Sequence, residues 1–138
     1  MATTSANFVQ AFANIGLIPD SGGTYFLPRL VGRQKANALI MLGEKIDALE
    51  AERIGMIYKC FPPESFEEEV NRIVNKLAKM PTKGLGLTKR ALHLSLTNPM
   101  ETQLDIEAHL QSEAGFTEDY EEGVAAFLEK RKPVFTGK

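Results

Sequence analysis

From residue 62 onward the sequence is cut by prolines at positions 62, 63, 81, 99 and 133. A proline inside a helix removes a hydrogen bond and collides with the preceding turn, and in a central strand it removes a ladder donor. Elements can therefore run only between these prolines, and the residue patterns make them helices. Ser65-Phe66-Glu67-Glu68 has the spacing of a capping box. Phe66, Val70, Ile73, Val74 and Leu77 then recur as a single apolar stripe at helical spacing. Two further helices are predicted over about 83–97 and 100–114. Thr117 is the expected cap of a last helix from Glu118 to Arg131, whose apolar stripe is Tyr120, Val124, Phe127 and Leu128. Pro133 stops it.

The first sixty residues have a different texture. Ala6-Asn7-Phe8-Val9-Gln10 reads as a short strand and Ile15-Gly16-Leu17-Ile18 as an apolar connector, followed by the dense turn signal Pro19-Asp20-Ser21-Gly22-Gly23-Thr24. Asp20 or Ser21 is a candidate cap for a helix over about 23–30. Gly32 ends it, and a second helix is predicted from Arg33 to Leu42, before Gly43. An extended piece over 44–47 leads into a helix over about 48–54, closed by Gly55, and Met56 to Phe61 is a candidate strand. One or two short strands cannot satisfy their own hydrogen bonds, so this part is expected to need a partner sheet that the chain does not obviously contain. The fold class is mainly α with a short β-containing N-terminal part.

Composition narrows the function classes. With 138 residues, 43% hydrophobic, 25% charged and a net charge of −2, the chain has no general attraction for nucleic acid or an anionic membrane. No apolar run approaches the ~20 residues of a membrane span. Met1-Ala2-Thr3-Thr4-Ser5 lacks the basic and apolar regions of a signal peptide. The single cysteine, Cys60, cannot form an internal disulfide and fits a reducing, cytoplasmic setting.

Few residues are placed to do chemistry. His93 and His109 lack the spacing of a metal pair and read as helix residues at or near the surface, so no metal site is expected. Cys60, in an apolar run, reads as a small core residue. Glu67-Glu68-Glu69 sits in the first turn of its helix, where negative charge suits the dipole and a solvated face is the ordinary outcome. Lys130-Arg131-Lys132 suits the end of the last helix for the same reason, and is also the one cluster able to grip a phosphate. Asp20 stands beside two glycines at the start of a helix, where a carboxylate is either a cap or a positioned acid/base group. Residue-type preference alone favours the cap.

Three ordered segments carry a resemblance. Phe8-Val9-Gln10 through Ile15-Gly16-Leu17-Ile18-Pro19-Asp20-Ser21-Gly22-Gly23-Thr24 to Leu27-Pro28-Arg29-Leu30-Val31-Gly32 is the first. The second is Ile46-Asp47-Ala48-Leu49-Glu50-Ala51 with Gly55-Met56-Ile57, and the third is Glu122-Gly123-Val124-Ala125-Ala126-Phe127-Leu128-Glu129-Lys130-Arg131-Lys132-Pro133. Together they resemble the C-terminal half of the crotonase (enoyl-CoA hydratase/isomerase) family, closest to its phenylacetate-pathway epoxyphenylacetyl-CoA isomerase branch. The resemblance implies the C-terminal half of the ClpP/crotonase fold. Residues 1–62 would be the end of the spiral core and 63–138 a helical region for oligomerisation and coenzyme A contact. The half not covered would carry the β-spiral core, the adenine loop and both donors of the oxyanion hole.

The resemblance also assigns roles. Many hydratases and isomerases of the family carry a Pro-Glu pair just after the strand; here Ala11-Phe12 stands in its place, and Phe12 cannot transfer a proton. That weighs against hydration and towards an isomerase that moves a double bond or opens a ring epoxide, with Asp20 as the catalytic acid/base. Phe127 and Lys130, three residues apart on one face of the last helix, align with positions that reach the coenzyme A of a neighbouring subunit. The substrate would be an acyl-coenzyme A thioester, with no separate cofactor, and the assembly a trimer or a pair of trimers. The 138 residues alone are expected to be inactive. The alternatives are part of an enoyl-CoA hydratase, or a non-catalytic helical oligomerisation module.

Overall fold

The computed structural model describes all 138 residues and divides them into two compact units, Met1–Asn71 and Arg72–Lys138. It contains four two-residue strands and seven α-helices, so the expected mainly helical class with a small β part holds. The sequence-based division after residue 62 marks the start of the helix within which the border between the units falls.

In the first unit, β1 (Ala2–Thr3) pairs in parallel with β4 (Cys60–Phe61), Ala2 opposite Cys60 and Thr3 opposite Phe61. β2 (Asn7–Phe8) pairs antiparallel with β3 (Ile46–Asp47), Asn7 opposite Asp47 and Phe8 opposite Ile46. The expectation that the strands lack partners inside the chain is thus corrected. The cause is shortness: the candidate strands over 6–10 and 56–61 shrink to two residues each, and such stubs pair with other stubs. Ala11–Ile15, which meets the apolar connector only at Ile15, winds into a 3-10 helix.

Helix α1 (Gly23–Val31) and helix α2 (Arg33–Leu42) meet at Gly32, with Gly43 closing α2. Leu27, Ala36 and Leu39 form the buried core between them, and Val31, Ile40, Ile46, Ile54 and Met56 pack around it. Helix α3 (Ala48–Arg53) is capped by Asp47, whose Oδ1 accepts the Glu50 N–H at 2.8 Å. Ala48 and Ala51 are fully buried, small residues that let α3 pack closely. Cys60 is buried as expected, and its thiol donates to Glu52 Oε2 at 3.1 Å.

Helix α4 (Pro63–Ala78) begins at the second proline rather than behind a Ser65 capping box. Proline is pre-organised for the first helical position and has no N–H to orphan there. Ser65 therefore falls inside the first turn, where its hydroxyl donates to Pro62 O at 3.3 Å. On the predicted stripe, Phe66, Val70 and Ile73 are half-buried while Val74 and Leu77 are exposed.

The second unit pairs α5 (Thr82–Leu94) with α6 (Met100–Gly115) and adds α7 (Glu118–Leu128). Gln103, buried on α6, donates to the Ala91 carbonyl of α5 at 3.2 Å and accepts from Asn98 at 3.0 Å. Leu110 and Ala126 are the buried apolar anchors of this unit. No helix is long and apolar enough to cross a membrane.

Candidate functional site

The turn at Asp20 is built on backbone conformation. The Asp20 carbonyl accepts the Gly23 N–H at 2.8 Å, and the two residues between, Ser21 and Gly22, have φ of +49° and +82°. Two successive positive φ values are the signature of a type I′ turn. Gly22 has no alternative: a Cβ there would lie 2.9 Å from the Phe26 ring. Ser21 holds the left-handed conformation without being glycine, at a cost on the order of 1 kcal/mol.

This geometry overturns the capping reading of Asp20 and Ser21. Gly22 is the residue at the cap of α1, and no side chain bonds the first turn. A capping side chain needs an extended residue at the cap so that its oxygen folds back onto the next N–H groups. The left-handed pair sends the chain the other way. The Asp20 carboxylate is exposed beside the N-terminal end of α1, whose dipole favours negative charge. Ile15, Leu17 and Ile18, just before it in the chain, are exposed as well. Phe12 is half-buried on the 3-10 helix and brings no group able to carry a proton.

The other two residues singled out lie in the second unit, at the end of α7. Thr117 caps this helix as expected, accepting the Tyr120 N–H at 3.1 Å. The helix ends at Leu128, however, and not at Arg131. Lys130 takes φ +55°, its N–H bonds Phe127 O at 3.3 Å, and the Arg131 N–H bonds Ala126 O at 3.0 Å. That pair of bonds is a Schellman motif, with lysine at the left-handed position usually given to glycine. Phe127 and Lys130 therefore do not share one helical face: the first is on the last turn and the second is in the bend beyond it. Both are exposed, Phe127 at 82%, so Phe127 is not a core residue of this chain. It lines an apolar groove of about 430 Å³ with Tyr120, Val124, Leu128 and Phe135.

Of the basic run at the tail, Arg131 is already engaged. Its guanidinium donates to both oxygens of Glu122, at 2.6 and 2.7 Å, and to Glu129 at 2.6 Å. Glu122 also accepts the Val134 N–H at 2.7 Å. The Arg131 bonds first, and then the Val134 N–H, hold the Glu122 carboxyl down to about 2, from an ordinary 4.5. Sequence reasoning missed Glu122 as a partner and overlooked Asp119 altogether. Asp119 is 3% exposed and accepts the Thr136 and Gly137 N–H groups at 2.6 and 2.9 Å. The only available signal was two acids three apart on α7, followed by an arginine and a short tail.

His93 and His109 are exposed on α5 and α6, and no group of three or more His, Cys, Asp or Glu side chains is placed to hold a metal ion. The Cys60 thiol is shifted up from its ordinary value, first by its hydrogen bond to the Glu52 carboxylate and then by burial. Such a thiol is a poor nucleophile.

Comparison with known proteins places these features. The family model described as enoyl-CoA hydratase/isomerase matches residues 1–138. The 1,2-epoxyphenylacetyl-CoA isomerase of Escherichia coli K12 is 47% identical over all 138 residues, which span 53% of its length. A trans-2-decenoyl-[acyl-carrier-protein] isomerase of Streptococcus mutans is 37% identical over the same 138 residues, or 52% of its length. The crystal structure of an enoyl-CoA hydratase from Bacillus anthracis superposes with a TM-score of 0.93 at 33% identity, covering 99% of this chain and 53% of that one. The chain spans about half the length of the relatives it matches, in keeping with the C-terminal half to which its motifs point.

Proposed function

The chain belongs to the enoyl-CoA hydratase/isomerase family, and on that premise we propose that it carries the acid/base part of an acyl-coenzyme A isomerase, with Asp20 as the proton carrier. The observation that carries this reading is the unused carboxylate. Asp20 caps nothing, is exposed, and is presented by a strained left-handed turn at the start of α1. Strain kept where a plain capped turn would serve is a mark of functional sites.

The chemistry needs one carboxylate. Asp20 removes a proton from a carbon activated by the thioester, the electron pair moves into the acyl chain, and the carbonyl oxygen becomes an enolate oxyanion. The carboxylic acid so formed returns its proton to a different carbon, and the double bond has moved. Donors aimed at the oxyanion supply the largest stabilisation in such reactions. By family resemblance they belong to the half this chain does not cover, so the 138 residues alone are expected to turn over negligibly.

Hydration would need a second carboxylate around the attacking water. Phe12, where the family pattern carries a glutamate, supports isomerisation over that alternative, and the relatives named above as isomerases support the same choice. Phe127 and Lys130 are assigned to the coenzyme A of the substrate, Lys130 meeting a phosphate. A trimer or pair of trimers in the cytoplasm completes the proposal.

The test follows double-bond migration in an unsaturated acyl-coenzyme A. We expect negligible turnover by the 138-residue chain, and turnover once a half bearing the oxyanion donors is joined to it. In the joined protein Asp20→Asn should lower kcat by about 10²-fold or more. A fully active Asp20→Asn variant removes Asp20 from the chemistry, and ordinary enzyme rates from the 138 residues alone sink the divided-site reading.

A further inference from the structure

Residues 129–138 form a strap that doubles back along α7. Beyond Pro133, which has no N–H to offer, three backbone N–H groups donate to carboxylates of the helix. The Val134 N–H goes to Glu122, and the Thr136 and Gly137 N–H groups to the two separate oxygens of Asp119. The Asp119 N–H returns a bond to Lys138 O at 3.2 Å. Phe135 lies between Val134 and Thr136, both of which bond to α7. Its ring lies where a Cβ on Gly123 would meet it at 3.6 Å, and it lines the same groove as Phe127. The far end is tight: at Gly137, with φ +80°, a Cβ would lie 2.5 Å from the Thr82 hydroxyl.

At the near end stands Lys130, a left-handed residue without a glycine's freedom. Such a conformation persists only when its surroundings over-determine it. Two carboxylates do so here. Glu122 draws back Arg131, the next residue, by a paired bond, and with Asp119 anchors the chain that follows. With Arg131 drawn back, the exposed Lys130 is left to face a ligand.

We propose that Asp119 and Glu122 are positioning residues that fasten the C-terminal strap to α7 and so hold Lys130 in the bend from which it meets a phosphate of the coenzyme A thioester. This inference rests on the reading of Lys130 as a coenzyme A contact. Neither carboxylate touches the ligand; both act through the strap.

The experiment titrates coenzyme A into the joined protein, which carries both halves, and into its Lys130→Ala, Asp119→Asn and double variants, with circular dichroism confirming helix content. Lys130→Ala should weaken binding by about tenfold, and Asp119→Asn alone by at least about threefold. In the Lys130→Ala background Asp119→Asn should cost nothing further, because its effect passes through Lys130. Amide hydrogen exchange at residues 134–137 should quicken in Asp119→Asn. If Asp119→Asn does not fold, Glu122→Gln, at the half-exposed pair, takes its place in the same cycle. Unchanged affinity, or losses that simply add, overturns the inference while leaving the Lys130 contact standing. Affinity left unchanged by Lys130→Ala in the joined protein overturns the coenzyme A reading, and this inference with it.

Discussion

Replacing Lys130 by alanine and by glycine separates the cost of its backbone from the use of its charge. Both substitutions remove the ammonium group and its favourable place at a helix C-terminus. Only glycine also relieves the left-handed strain at φ +55°. An L-residue in that region costs about 1–2 kcal/mol, and glycine gives back about 0.4–1 kcal/mol by enlarging the unfolded ensemble. The glycine variant should therefore be more stable than the alanine variant by about 0.5–1 kcal/mol, or about 2–3 °C in a thermal melt at 222 nm for a chain of this length. Coenzyme A affinity should fall in both. A residue kept in a conformation that glycine would hold at less cost, and whose replacement weakens the ligand, is held in place for the ligand. An alanine variant as stable as the glycine variant would mean that the bend carries no strain, and the argument from Lys130 would fail.

Other outcomes follow from the same geometry. Asp20→Asn should leave the melting temperature within about 2 °C, because the side chain caps no helix and is exposed, as expected of surface substitutions; a larger loss would restore the capping role. The Glu122 carboxyl titrates at about 2 in the folded chain against an ordinary 4.5. Its contribution is then fully present above about pH 4.5 and lost as pH falls from there towards 2. Denaturation midpoints measured across that window should flatten in Glu122→Gln and in high salt, which screens an exposed pair. Cys60, buried and hydrogen-bonded to Glu52 with its thiol shifted up, should react with iodoacetamide at pH 8 at least about tenfold more slowly than an exposed cysteine. Glu52→Gln should speed that reaction; no change would deny the carboxylate its role.

The helices were the legible part. Prolines, the Gly32 and Gly43 breaks and the Thr117 cap act within a few residues of where they stand, so α2 appears at its predicted bounds and α7 at its predicted start. Local pattern failed where two local rules competed. Ser65 has the spacing of a capping box, yet proline at the first helical position won. Asp20 and Ser21 are good caps by type, yet Gly22 and its neighbour took a left-handed path that no capping side chain can follow.

The candidate residues themselves, Asp20, Phe127 and Lys130, were identified from the order of three motifs, together with the family to which the chain belongs. Where each of them stands was decided in three dimensions. Only the fold shows that the Asp20 carboxylate is unspent, that Phe127 lines a groove, and that Lys130 stands in a bend beyond α7. Asp119 and Glu122 had no local signature, because their partners, the Arg131 guanidinium and backbone N–H groups of a tail with no regular structure, lie 9 to 18 residues away. Helix periodicity and capping are short-range and are written in adjacent residues. A carboxylate's hydrogen-bond partners depend on where the chain returns, and that is a property of the tertiary structure alone.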